Sequence, residues 1–379
     1  MKQVYFDSAA TTQLRTEVVK KMTTVLHKCY GNASSSHSYG RSSKSLLEHA
    51  RKTVAKQLNC SASEIIFTSG GTEADNLALR SAVRDLGVET IITSRIEHHA
   101  VLNTVNQLEH EYGITVHYVD LEENGDINYK HLEELLHLQN KKMVSLMHIN
   151  NEIGNILDLK RVGDLCKINN ALFHSDTVQS VGHYELDLQD VNIDFLAASA
   201  HKFHGPKGVG FAYIKKNSGI KPLIFGGEQE RGTRAGTESV HNIVGLEEAF
   251  KQSYSNLFEE RAYITTLKQY FIKTISKAFP EVTYNGGSAN LEKSTYTVVN
   301  ICLPITPEKK LLLLFQLDLK GIACSKGSAC QSGSSKGSHV LSQILSFEDM
   351  QKPSLRFSFS KFNTKTEIDY VVTVLKDFM

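Results

Sequence analysis

The chain has 379 residues, enough for one large α/β domain and a smaller companion, each with its own core. Its 42 lysines and arginines nearly cancel its 41 aspartates and glutamates, and the net charge of +1 supplies no basic field for binding nucleic acid directly. No run approaches the roughly 18 apolar residues of a membrane span and the amino end has no leader-like apolar core, so the expectation is a soluble, cytoplasmic protein.

From residue 64 onward, short β-branched runs alternate with longer helical patterns. Strands are expected at 64–68, 90–93, 114–119, 143–148, 171–174 and 193–197. This is the βαβ pattern of a mainly parallel sheet covered on both faces, in which ligands sit beyond the carboxyl ends of the strands. After the Gly-rich stretch 226–236 the character changes. A polar, amphipathic segment from His241 to Phe279 predicts a helix or a helix pair leaving the large domain. Runs at 296–301 and 354–359 then predict strands of a smaller α+β unit. The expected division is 13–255 for the large domain, with 1–12 and 256–379 forming the small one. The small one carries a Ser/Gly-rich loop at about 325–336.

Chemistry concentrates just after the expected strands. Lys202, in Ser199-Ala-His-Lys202, follows a buried strand and precedes a Gly-Pro turn, where desolvation would lower its pKa and free its amine for an aldehyde. Taken alone, a surface lysine at a strand end explains it better. Thr68-Ser-Gly-Gly-Thr-Glu-Ala-Asp75 opens a helix with small residues whose free N–H groups can cradle a phosphate. His174-Ser-Asp-Thr-Val-Gln179 offers a carboxylate and then an amide. Pyridoxal phosphate needs an acid at its pyridine nitrogen and a donor at its ring oxygen, which Asp176 and Gln179 could supply. Taken alone, an aspartate at a strand end is most often a helix or turn cap.

These segments, with Asp7-Ser-Ala-Ala-Thr-Thr12, Glu97-His-His-Ala-Val101, Asn150-Asn-Glu-Ile-Gly154 and Gly327-Ser-Ala-Cys330, closely resemble the class I, NifS/IscS-type cysteine desulfurases from Tyr5 to about Asp369. The resemblance implies a pyridoxal-phosphate-dependent transferase of fold type I that takes sulfur from L-cysteine onto Cys330 and releases alanine. It implies Lys202 as the lysine bonded to the cofactor, Asp176 and Gln179 as ring partners, and Gly71, Thr72, Ser199 and His201 around the phosphate. It implies that Thr237 reaches the phosphate of a neighbouring subunit in a homodimer. His98 would stack on the ring and move protons, Asn151 would touch cofactor and substrate, and Arg356 would clamp the substrate carboxylate. A sulfur-accepting protein, such as an iron–sulfur scaffold or a tRNA-thiolation relay, is the implied partner. No metal is implied.

This sequence departs from the family pattern at Gly31-Asn-Ala-Ser34, which lacks a proline, at Ala200, where glycine is usual, and at Thr177, where alanine is usual. Cys324 adds a second thiol six positions before Cys330, expected as a buried anchor rather than a spare sulfur carrier. Two competing readings remain open on the residues alone. Lys202 and Asp176 would serve an aminotransferase or a selenocysteine lyase of the same fold, although Cys330 would have no task in an aminotransferase. Cys324 and Cys330 would serve as ligands in a metal carrier, although two thiols with five residues between them supply only half the usual ligands.

Overall fold

In a computed structural model, residues 2–305, 307–326 and 337–378 are described, with backbone only for 307–311. The strands are β1 (Val4–Tyr5), β2 (Ile65–Thr68), β3 (Thr90–Thr93), β4 (Thr115–Tyr118), β5 (Lys142–Ser145) and β6 (Leu172–Asp176). They continue with β7 (Phe195–Ser199), β8 (Gly210–Ile214), β9 (Thr283–Tyr284), β10 (Val298–Cys302), β11 (Ile322–Ala323) and β12 (Ser354–Ser358). Helices α1 (Thr16–Lys28) and α2 (Ser38–Gln57) precede the large sheet, and α3 (Gly71–Arg84), α4 (His99–Tyr112), α5 (Tyr129–Leu136) and α6 (Leu159–Ile168) alternate with its strands. The remainder are α7 (Val240–Ser255), α8 (Leu257–Ala278), α9 (Pro307–Leu319), α10 (Phe347–Gln351) and α11 (Lys365–Lys376).

The large sheet has the order β2-β8-β7-β6-β5-β3-β4. All six strands expected in the large domain lie in it. The seventh, β8, runs antiparallel to both β2 and β7, while the others share one direction. Strands β2, β3, β5 and β7 are buried along their whole length, because helices cover both faces and leave no solvent side to mark with polar residues. Gly210 opens β8 beside the Gly70 backbone, where a Cβ would come within 2.8 Å of the Gly70 Cα.

The expected helical segment 241–279 is a pair, α7 and α8, broken at Asn256. A separate three-stranded antiparallel sheet, β12-β10-β9, packs with α8 and α11 around its own apolar cluster. Val4 and Phe6 join that cluster, and β1 pairs with β11, so the amino-terminal strand belongs with the second half of the chain. Among the described residues no helix is long and apolar enough to cross a membrane.

Within this smaller unit α8 buries Lys268 completely; its Nζ donates to Ser294 Oγ at 2.8 Å and to the Thr295 carbonyl at 2.7 Å. Burial pulls its pKa down to about 7. The unfolded chain keeps that proton up to about pH 10.4, so between the two values folding releases it and stability from this group rises with pH, by at most ~1.4 kcal/mol per unit. Chemical denaturation across this window is expected to show that slope, and Lys268→Met to remove it. Parallel stability curves for the two proteins would mean that Lys268 stays ionised in the fold.

Candidate active site

At the carboxyl edge of the large sheet lies a cavity of about 240 Å³. Three strand ends build its floor. Strand β2 leads into Gly71 and Thr72 at the start of α3, β6 ends at Asp176 with Val178 and Gln179 following, and β7 ends at Ser199 with His201 and Lys202 following. His98 enters from the start of α4, Asn151 from the loop after β5, and Arg356 from β12 of the smaller sheet. Thr237 is exposed and outside this cavity. Cys330 and the rest of 327–336 lie outside the described residues, while Ser325, at the start of that stretch, is buried and pairs with Arg356.

Lys202 sits in a 3₁₀ turn immediately after β7, and its Nζ donates to the carbonyls of Ala9 at 2.5 Å and Ala10 at 3.0 Å. Gln179 Nε2 also donates to Ala9 O, at 3.0 Å. The Asp7-Ser-Ala-Ala-Thr-Thr12 segment is therefore part of the site, and the groups that meet Lys202 and Gln179 are its main-chain carbonyls, which no side chain announces. Thr12 holds it down by donating from both N and Oγ1 to the His201 carbonyl, at 2.9 and 2.8 Å.

Asp176 is buried, and its Oδ1 accepts the Val178 N–H at 2.9 Å. Burial raises its carboxyl pKa, against the attraction of His98 and Lys202. His98 caps α4 by accepting the Ala100 N–H on Nδ1 at 3.1 Å, as its position before the helix suggests, and still lines the cavity. That bond leaves Nε2 as the protonated nitrogen of the neutral ring. Burial pulls the ring's pKa below its ordinary value, against the opposing pull of Asp176.

Arg356 is almost fully buried, and its guanidinium is held from two sides. Nη1 donates to the Asn151 carbonyl and Nη2 to Asp7 Oδ1, both at 2.8 Å, while buried Nε has no hydrogen-bond partner. Asp7 Oδ1 also accepts from Ser325 Oγ at 2.8 Å. The fork is thus oriented in advance, with donors to spare for a carboxylate.

Two of the departures now have a physical reading. Thr177 turns its hydroxyl away into the sheet, donating to the Ala197 carbonyl at 2.8 Å, so it adds nothing to the cavity. Cys324 packs partly buried against the smaller core, and burial, assisted by the charge of Asp7, pushes its thiol well above the ordinary range. A thiol held protonated suits an anchor and not a nucleophile. The site also includes Asp75 and His99, which lie in quoted motifs but were given no role, and Met147 and His339, which no motif marked; His339 follows the Ser/Gly stretch and bonds the Glu97 carbonyl through Nε2 at 2.8 Å.

The aminotransferase class-V family profile matches residues 4–371. A Clostridium botulinum (strain Kyoto / Type A2) protein described as cysteine desulfurase IscS is 43% identical over 377 residues, covering 99% of this chain and 94% of the relative. A Bacillus subtilis (strain 168) protein, described as putative cysteine desulfurase IscS 1, is 41% identical over 384 residues and covers 99% of both. Among solved structures, a NifS-like protein superposes with a TM-score of 0.90 at 34% identity, covering 99% of each chain. A NifS-like protein from Rickettsia africae ESF-5 gives 0.87 at 30% identity, covering 100% of this chain and 99% of that one. With the strand-end lysine, the buried aspartate and the poised arginine around one cavity, the chain belongs to the aminotransferase class-V family, among its pyridoxal-phosphate-dependent cysteine desulfurases of the IscS type.

Proposed function

We propose that the protein takes sulfur from L-cysteine, leaving L-alanine and a persulfide on Cys330 that passes to an acceptor protein for iron–sulfur cluster assembly or tRNA thiolation. The observation that carries this reading is the convergence of Lys202, Asp176 and Arg356 on one cavity in a chain whose relatives are cysteine desulfurases. The cavity fits pyridoxal phosphate. Gly71 approaches Val178 so closely that a Cβ would lie 2.5 Å from Val178 Cγ2, leaving the first N–H groups of α3 open to a phosphate. Ser199 and His201 line the same end. Exposed Thr237 is available to a neighbouring protomer, which supports a homodimer with shared sites.

When bound, pyridoxal phosphate supplies an electron sink that makes the Cα–H of an attached amino acid acidic and then weakens its C–S bond. Asp176 holds the pyridine nitrogen's proton, and Gln179 and Asn151 orient the ring and substrate. Arg356 binds the substrate carboxylate, and Lys202 Nζ, once released from the cofactor, takes the Cα proton. His98, neutral with its proton on Nε2, covers the ring and can pass protons at the mouth. The Cys330 thiolate attacks the substrate sulfur; an S–S bond forms as the C–S bond breaks, and the carbon left behind is protonated to the methyl group of alanine. We further assign the large domain to 13–255 and the small one to 1–12 with 256–379, a division supported by Val4 and Phe6 packing into the second core, and the protein to the cytoplasm.

The test is the product balance. Loaded protein given L-cysteine and a thiol reductant is expected to release sulfide and alanine in equal amounts. 3-Mercaptopyruvate made only when a keto acid is added, without sulfide, would make it an aminotransferase instead. Arg356→Ala is expected to raise KM for cysteine and lower kcat/KM by about one to three orders of magnitude, the loss of a charge-assisted clamp together with misorientation. Unchanged kcat/KM would remove Arg356 from substrate binding.

A further inference from the structure

A row of buried polar groups behind the cavity has no task in the reaction above. His174 and Asp176 are two apart on β6, so strand alternation puts both side chains on one face of the sheet, the face that α3 contacts. Asp75, one turn into α3, is 1% exposed and lines the same cavity as Asp176. Its Oδ1 is 3.3 Å from His174 Nε2, and neither atom makes an aligned hydrogen bond. On the ring's other side, His174 Nδ1 is 2.8 Å from Ser145 Oγ, the residue opposite it in the β5–β6 register.

We propose that Asp75 is a positioning residue: a neutral carboxylic acid beside Asp176 that keeps the pair's one proton and leaves the negative charge on Asp176, facing the cavity. This rests on the reading of Asp176 as the partner of the cofactor's pyridine nitrogen. Two buried carboxyl groups without a cation between them cannot both ionise. The groups facing them are few. From β6 comes His174, fully buried and drawn down to about 3 by burial, so it carries no charge. From the turn before α4 come His98 and Glu97, the latter pushed up to about 8 by burial. From the turn after β7 comes Lys202. Asp176 has the Val178 N–H and the attraction of His98 and Lys202 to support a charge. Asp75 has neither, and burial first, then Asp176 and Glu97, push its carboxyl well above the usual range. The proton therefore belongs on Asp75, where its O–H can serve a neighbouring acceptor instead of adding a second repelling charge.

Infrared difference spectra of cofactor-free wild type and Asp75→Asn at neutral pH test the protonation directly. The wild type is expected to show the C=O stretch of a protonated buried carboxyl that Asp75→Asn removes; no loss of signal in that region overturns the proposal, whatever the cofactor does. Titration with pyridoxal phosphate then tests the positioning. Asp75→Ala is expected to weaken binding about tenfold, the isosteric neutral Asp75→Asn to restore it to within about threefold of wild type, and Asp176→Asn to lose about tenfold or more. If Asp75→Asn falls as far as Asp176→Asn, or further, Asp75 carries the charge and the proposal fails. If Asp176→Asn binds as wild type does while the infrared change persists, only the pyridine-partner reading of Asp176 falls, and the neutral state of Asp75 stands. Should Asp75→Ala not fold, the infrared change and the two asparagine variants still decide the matter.

Discussion

Cys330→Ser protein is expected to lose sulfide and alanine production almost completely while still exchanging the Cα proton of L-cysteine with solvent. The two halves of that result separate the groups that act at Cα from the group that takes sulfur. In the proposed reaction, proton removal at Cα depends on Lys202 and Asp176, which both line the cavity. Sulfur removal needs a thiolate, and a serine hydroxyl at neutral pH is neither ionised nor able to hold a second sulfur. Four of the other five cysteines give no ready substitute. Burial raises the thiols of Cys60, Cys166, Cys302 and Cys324, each of which is thereby held protonated. Solvent deuterium incorporation into recovered cysteine, measured beside sulfide and alanine, checks both halves. Desulfuration at the wild-type rate, or a first persulfide mapped by mass spectrometry to another cysteine, would sink the assignment.

Lys202→Ala protein is expected to fold and to bind pyridoxal phosphate, but without a borohydride-reducible link, and to lose Cα proton exchange by about two to four orders of magnitude, the scale of a missing general base. Folding survives because the lysine's amine, which donates to the carbonyls of Ala9 and Ala10, lies at a cavity that water can enter when the side chain is gone. The phosphate cradle survives because it is built from the start of α3 and from Ser199, not from the lysine. Reduction followed by peptide mapping reads the link. Cofactor recovered covalently on a different lysine would move the reactive amine elsewhere in the chain.

Six strands of the large sheet were legible because they are short β-branched runs between helical patterns, and the candidate site was legible because residues that bind at such a sheet must follow the strands. Lys202, Asp176 and Gly71 are each within three residues of a strand end. Strand β8 escaped notice since Gly210-Phe-Ala-Tyr-Ile214 follows the lysine turn directly, with no crossover helix to announce it, and it enters the sheet antiparallel. The double duty of His98 was also legible only in part. Its helix-capping bond is local, and could be read from its position; its neutral state comes from burial under groups far away in the chain.

By itself the sequence showed which residue types stand after which strands, and the resemblance that those motifs carry implied the cofactor class, the reacting amine and the candidate thiol. Those are local matters, set by side-chain chemistry and by a strand period of two. The tertiary structure alone decided which distant groups meet: Asp7 with Arg356 and Ser325, the Ala9 carbonyl with Lys202 and Gln179, and Asp75 with His174 behind Asp176. It also decided their protonation. Whether a carboxyl in this cavity holds a charge depends on how much water burial removes and on which cation or N–H group remains within reach, and both are properties of the packed chain, not of any one segment of it.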